Sequence, residues 1–358
     1  MLLKADEKEW FWSGFFIGIF WFYWISLSFR YYDLAFMIPI VIFSIASVYA
    51  LIFRAIALFK SIYIKAILLF FLSYIAPFGF NWLKLELTLI NSYFQAYTLY
   101  YALFLFGIVL LIKLPKWFKL VSILLFILCT YPINKKYENI PLRVAISKTD
   151  INQANKWDKK YENSLVLQNF SLISKAIKQK YDLIILPESA FPQYLNLHTN
   201  EMRLLKELSQ KIDIVAGGLT YQNHKIYNSS YFFEKGRVQI AHKVTLVPFG
   251  EEIPLPSFLN KFINRVFFNS ASDYARAKEP SDFDIKGVKF RSAICFEATT
   301  DKLYENYPKQ MIAISNNAWF KPSIEPSLQH LLLKLYAKKY NTTIYHSANG
   351  GISGIITP

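Results

Sequence analysis

Before Tyr131 the apolar positions run in long, nearly unbroken blocks, whereas after it they shrink to short runs separated by polar stretches. At about 1.5 Å of rise per residue, about twenty apolar residues in a helix cross a hydrocarbon core of about 30 Å. Residues 10–29, 34–53, 61–80 and 92–112 meet that length, and residues 117–133 form a shorter fifth run that carries Lys119. Four to five membrane spans are therefore predicted over residues 1–133, as an N-terminal transmembrane helical bundle. Lys65 falls near one end of the third, where its stem can lie along apolar surface while the ammonium snorkels to water. The first run is too long and aromatic for a cleaved leader and others follow it, so the membrane region is expected to be permanent.

Beyond a boundary expected within residues 132–141, the period changes. Short β-rich runs at residues 143–147, 182–186, 213–219, 230–233, 238–242, 290–296, 311–315, 342–346 and 352–356 are interspersed with helical periodicity at residues 164–180, 201–211 and 328–339. Such alternation predicts sheet covered by helices, an α/β domain over residues 134–358.

The composition agrees with two unlike regions. The 358 residues are 54% hydrophobic and 18% aromatic, too apolar for one ordinary soluble domain and too polar for membrane throughout. Up to Ile133 there are ten Lys or Arg against five Asp or Glu, leaving thirty against twenty for the remainder, so the globular part holds most of the +15 excess. No zinc-finger spacing, RNP-like aromatic motif or dense basic run points to nucleic acid, whereas anionic lipid head groups account for the charge. With five spans, Lys4, Lys8, Arg54, Lys60, Lys65, Lys113, Lys116 and Lys119 fall on one side and only Arg30 and Lys84 on the other. The richer side is cytoplasmic by the positive-inside rule, which places the globular domain outside.

Two cysteines, Cys129 in an apolar run and Cys295 in the globular part, exclude a disulfide framework, and no Cys/His cluster has metal-ligand spacing. No metal and no cofactor is expected. Three segments end on chemistry beside predicted strands: Leu183-Ile184-Ile185-Leu186-Pro187-Glu188-Ser189, His242-Lys243-Val244-Thr245-Leu246-Val247-Pro248-Phe249-Gly250-Glu251, and Arg291-Ser292-Ala293-Ile294-Cys295-Phe296-Glu297. A thiol attacks as thiolate and needs a proton acceptor, which Glu188 can be, while Lys243 can hold the oxyanion of a tetrahedral intermediate. Taken singly, each has a plain reading as well: a packed core cysteine, a helix cap and a solvated lysine. A Ser-His-Asp arrangement is disfavoured because no Gly-x-Ser-x-Gly elbow is present, and no His-Glu-x-x-His supports metal catalysis.

Together the three segments resemble the carbon-nitrogen hydrolase (nitrilase) superfamily, whose members carry a Glu-Lys-Cys triad in an αββα sandwich. Membrane spans ahead of such a domain resemble one branch, the bacterial apolipoprotein N-acyltransferases. Further segments matching that branch are Ile314-Ser315-Asn316-Asn317-Ala318-Trp319-Phe320, Lys156-Trp157-Asp158 and Tyr227-Asn228-Ser229. The resemblance implies that Cys295 attacks a phospholipid acyl ester, Glu188 takes the thiol proton and Lys243 steadies the oxyanion. The acyl chain would then pass to the amine of a diacylglyceryl-cysteine apolipoprotein. By the same resemblance Glu251 and Glu297 are supporting carboxylates. Glu251 would orient Lys243, and Glu297 would share the strand face of the nucleophile and shape the pocket, while Trp157, Asn228 and Trp319 would line the substrate. It also implies the bacterial inner membrane, with the catalytic domain facing the periplasm.

Against that family the chain is expected to be abbreviated at both ends, lacking a first span and the final strand and helix. A membrane-tethered amidase sharing the triad, and an inactive truncated relative, are the rival expectations. The segment of residues 260–281 is the candidate for a lid over the lipid.

Overall fold

The computed structural model describes residues 2–130, 139–248, 250–252 and 274–358. The chain divides into two compact units, Met1–Lys135 and Lys136–Pro358. In the first, α1 (Glu7–Phe22) opens on a capping box in which the Asp6 side chain accepts from Glu9 N and the Glu9 side chain accepts from Asp6 N. It runs on as 3₁₀ turns to Tyr32 and packs on α2 (Ile38–Ala57). Gly14 and Gly18, one turn apart on α1, let the backbones touch, since a Cβ on Gly18 would stand 2.6 Å from Ala46 Cα.

Next come α3 (Ile62–Leu72), α4 (Thr98–Lys113) and α5 (Lys119–Thr130). Among the described residues three helical stretches, Glu7–Tyr32, Ala35–Ala57 and Ile62–Gly79, are long and apolar enough to cross a membrane. The fourth predicted run yields a helix of only 16 residues, because the chain between α3 and α4 is spent on short 3₁₀ turns. The fifth predicted run gives α5, and residues 131–133 of that run lie outside the described residues. Lys65 does not reach for solvent: it is buried, its Nζ 3.3 Å from the Ala5 carbonyl and over the Trp10 ring.

The second unit is the expected sandwich. β1 (Val144–Ile146) and β2 (Lys148–Thr149) are followed by α6 (Gln153–Lys156) and α7 (Lys159–Lys178), the latter capped by the Asp158 side chain. Then come β3 (Leu183–Ile185), β4 (Phe191–Tyr194), α8 (Thr199–Leu208), and the antiparallel β5 (Asp213–Gln222), β6 (Lys225–Glu234) and β7 (Arg237–His242). Further along the chain lie β8 (Asp282–Ile285), β9 (Val288–Ile294), β10 (Gln310–Asn316), α9 (Glu325–Tyr340), β11 (Thr343–Asn349) and β12 (Gly354–Ile356).

One sheet has the order β1-β3-β5-β6-β7 with β4 beside β5, and the other β12-β11-β10-β9-β8 with β2 beside β11. Strict alternation sorts the strand residues. Leu183, Ile185, Val215 and Phe232 of the first sheet meet Phe290, Ile294, Ile312, Ile314 and Tyr345 of the second in the interior. Ile184, Leu186, Ile214 and Ala216 face outward onto Val166, Ile173 and Ala176 of α7 and Leu205 of α8. Ala293, Met311, Ala313 and Ile344 likewise back onto Leu333, Tyr336 and Ala337 of α9. Both faces of the central strands are covered, which is why they read as continuous apolar runs.

Candidate active site

β3 ends in a tight turn. Ser189 takes a left-handed φ of 47°, and three features hold the preceding Glu188 in place. Lys156 Nζ donates to the Glu188 carbonyl (2.9 Å), Asn169 Nδ2 of α7 donates to the Ala190 carbonyl (2.6 Å), and Gly217 of β5 lies directly beneath. A Cβ on Gly217 would stand 2.5 Å from Ser189 N and 2.7 Å from Glu188 Cα, so only glycine permits this approach.

Lys243 is the first residue after β7 and is fully buried. Its Nζ lies 2.7 Å from Glu251 Oε2. That contact balances the charge without aligning as a hydrogen bond, and among the described residues no acceptor is aligned with the ammonium, so its donors stay unspent. Burial alone would lower the pKa of Lys243, but Glu251 and Glu188 outweigh it and the net direction is up. Asn228 of β6 joins the carboxylates, its Nδ2 donating to Glu188 Oε1 (2.8 Å) and Glu251 Oε1 (2.9 Å) while its buried Oδ1 has no partner among the described residues. Val247 N also donates to Glu251 Oε2 (2.8 Å). Glu188, Asn228, Glu251 and Lys243 are thus one continuous chain of contacts.

Cys295 lies where β9 stops. Its φ of 55° is left-handed, a conformation that costs a non-glycine residue of order 1–3 kcal/mol and occurs where surrounding structure enforces it. The chain then enters a 3₁₀ turn, Cys295–Thr299. Glu297 therefore does not continue the strand face expected from the sequence. Its carboxylate turns back onto backbone, accepting from Ile294 N (2.8 Å), Val244 N (2.7 Å) and Thr245 N (3.0 Å). It fastens the turn of the cysteine to the segment of the lysine. Burial raises Glu297 to about 7, against the lowering influence of Lys243 and those three N–H groups.

Burial, with the nearby Glu188 carboxylate, pushes the Cys295 thiol well up, and Lys243 only partly offsets this. At rest the sulfur therefore holds its proton, and attack requires an acceptor for it. Around it stand groups to which the sequence alone assigned no role. Gln329 Nε2 of α9 lies 3.8 Å from Sγ. Asn317 Nδ2 contacts both carboxylate oxygens of Glu325 and Gln329 Oε1, each at 2.9 Å. Burial raises Glu325 to about 8 and lowers Lys156 to about 8. The signal for Glu325 and Gln329 was two polar residues four apart on the same stripe as the buried Leu332, Leu333 and Tyr336. Trp157 follows Lys156 and is 40% exposed, and Trp319 is half-buried in the turn after β10. Most of residues 260–281, the expected lid, lie outside the described residues. Among the described residues no cluster of His, Cys, Asp and Glu is arranged to hold a metal.

Two family models match, the apolipoprotein N-acyltransferase integral membrane domain over residues 1–132 and carbon-nitrogen hydrolase over residues 143–350. The chain is 44% identical over 360 residues to the apolipoprotein N-acyltransferase of Wolinella succinogenes, covering 99% of this chain and 86% of that one. It is 39% identical over 368 residues to that of Helicobacter hepaticus, covering 100% and 91%. A solved carbon-nitrogen hydrolase superfamily protein from Xanthomonas campestris gives a TM-score of 0.43 at 15% identity, covering 60% of this chain and 77% of that one, a likeness too distant to bear on the chemistry. With a membrane domain and a hydrolase-type sandwich each matched in its own right, and relatives aligned along most of their length, the chain belongs to the apolipoprotein N-acyltransferases, integral membrane members of the carbon-nitrogen hydrolase superfamily.

Proposed function

We propose that this chain moves an acyl chain from a membrane phospholipid onto Cys295 and then to the N-terminal amine of a diacylglyceryl-cysteine apolipoprotein. The observation that carries the reading is the contact chain Glu188–Asn228–Glu251–Lys243 beside a half-buried cysteine in a left-handed turn. Because the thiol is held protonated, its proton passes to Glu188 as sulfur bonds to the ester carbon. The oxyanion forms against the unspent donors of Lys243, whose charge Glu251 keeps in position. Collapse breaks the ester C–O bond, Glu188 returns the proton to the departing lysophospholipid oxygen, and a thioester remains. The acceptor amine then attacks the thioester carbonyl. Its proton goes to Glu188 and on to sulfur as the C–S bond breaks, and an amide is released.

Glu297 acts in this reading by fixing both loops rather than by meeting substrate. Trp157 and Trp319 are assigned to the pocket walls, and the partnerless Oδ1 of Asn228 is the atom it can offer to substrate. Both substrates are lipid-anchored, and withdrawing their chains into water would cost about 0.8 kcal/mol per CH₂, which favours an enzyme that is itself embedded.

We assign residues 1–133 to the membrane and 134–358 to catalysis, in the bacterial inner membrane with the catalytic part facing the periplasm. A reporter fused after Pro141 should be active only outside the cytoplasm, and cytoplasmic activity would sink that orientation. The function itself is tested by incubation with phospholipid carrying a labelled acyl chain. A hydroxylamine-labile label on Cys295, chased by a diacylated peptide with a free N-terminus, is expected. Ammonia release from small amides without such a label would point to an amidase instead.

A further inference from the structure

Three buried polar groups, Asn317, Glu325 and Gln329, lie on the α9 side of the nucleophile and take no part in the scheme above. Asn317, in the turn after β10, has its Nδ2 aimed at Glu325 and at Gln329 Oε1. An amide that accepts through Oε1 on one side presents Nε2 on the other, and that nitrogen is 3.8 Å from Cys295 Sγ. The orientation of Gln329 is therefore set by its partner rather than free to flip. Asn317 in turn is wedged, since a Cβ on Gly351 would stand 2.1 Å from its Oδ1. Glu325 presents two acceptor oxygens, and even when protonated it keeps one toward Asn317. Burying such a set against a helix is costly unless its donors are satisfied, and here the series of donors terminates on sulfur, while Asn317 Oδ1 has no partner among the described residues.

Resting on the reading of Cys295 as nucleophile, we infer that Gln329 is a catalytic residue that donates an N–H to the sulfur, and that Asn317 and Glu325 are positioning residues that fix the sense of its amide. The contact serves both halves of the reaction. Charge gathers on sulfur as the thiol proton leaves for Glu188, and again when the C–S bond breaks and its electron pair returns to sulfur. A donor waiting at that atom favours both moments. The charged groups around the sulfur are Glu188, Lys243, Glu251, Glu325 and Lys156, and Gln329 is a neutral donor among them.

The test uses the whole chain, in phospholipid-free detergent micelles for alkylation and in phosphatidylethanolamine nanodiscs for acylation. Alkylation of Cys295 by iodoacetamide is followed across pH by peptide mass spectrometry, with Cys129 as an internal reference, beside single-turnover acylation. Gln329→Met keeps the length and removes the donor. Its alkylation midpoint is expected to rise by about one pH unit and its acylation to slow about tenfold, the worth of one hydrogen bond to a charged group. Gln329→Glu replaces the donor by a carboxylate and should move the midpoint further in the same direction. Glu325→Leu and Glu325→Gln both remove a carboxylate that raises the thiol, so the two are compared with each other: the midpoint of Glu325→Leu should lie above that of Glu325→Gln, which keeps an acceptor for Asn317, a difference that mere loss of the charge would not give. A midpoint equal to wild type in whichever Gln329 variant folds overturns the inference. Absence of any Cys295 thioester in the wild-type chain would instead overturn the nucleophile reading, because the alkylation midpoint reads the donor contact without acyl transfer.

Discussion

Gly217→Ala is the sharpest probe of how Glu188, the proposed general base, is held. The new methyl would meet Ser189 N at 2.5 Å, Glu188 Cα at 2.7 Å and the Pro187 carbonyl at 2.8 Å, against an ordinary contact of 3.4 Å or more. All three are main-chain atoms, so no rotamer change relieves the overlap. β5 cannot yield either, being hydrogen-bonded to β3 on one side and to β6 on the other. The turn carrying Glu188 must therefore move by about 0.6 to 0.9 Å, and misplacement of a catalytic group on the 1 Å scale costs up to about 10²-fold in rate. Single-turnover acylation from labelled phospholipid should fall by about 10- to 10²-fold, with a stability loss of about 1–3 kcal/mol from overpacking in thermal melts. Gly218→Ala is the matched control, because its methyl meets nothing closer than Leu195 Cβ at 3.1 Å and so asks for a much smaller shift. Wild-type acylation by folded Gly217→Ala, or equal losses in both variants, would refute the claim that this close approach positions the base.

Cys295→Ala should abolish the hydroxylamine-labile label, and Cys295→Ser should cripple it because an alkoxide is harder to form; turnover surviving either change would remove the nucleophile assignment. Glu188→Gln and Lys243→Ala should each cost roughly 10²- to 10⁴-fold in acylation rate, measured under single turnover. Asn228→Leu should cost about 10-fold or more, because it withdraws a donor shared by Glu188 and Glu251 and leaves their oxygens facing each other. Glu325 has a folded pKa raised to about 8 from an ordinary 4.5, so its burial is penalised only when it is charged. That penalty grows as pH rises from about 4.5 and is complete above about 8. Relative to Glu325→Gln, the wild-type melting temperature should therefore decline across that window, by the equivalent of a few kcal/mol in order of magnitude, and parallel curves would contradict the assignment.

Much of this was legible in the sequence because burial on both faces leaves a plain mark. Leu183 to Leu186 and Met311 to Ile314 are unbroken apolar runs, and the strands were found there. The strands missed were those without that mark. β4 contains Pro192 and pairs with β5 only irregularly, and β2 is two residues long. β8, Asp-Phe-Asp-Ile, does alternate exposed acid with buried Phe283 and Ile285, a pattern short enough to be passed over. The direction of Glu297 was misread for a different reason. Extending the two-residue period through Cys295 assumes extended backbone, and nothing in the letter Cys announces a left-handed φ. Gln329 and Glu325 escaped because their meaning depends on which helix face meets the sulfur, a tertiary fact.

The division of labour between the two sheets has a consequence for how such an enzyme matures. Glu188 and Lys243 hang from one sheet and Cys295 from the other, and the Glu297 carboxylate is the bolt thrown across the gap to Val244 and Thr245. Under the proposed mechanism either half alone is chemically mute, a thiol without its base or a base without a thiol. Acyl loading would then start only once the sandwich has shut, so a chain that takes a label at Cys295 would have certified its own folding.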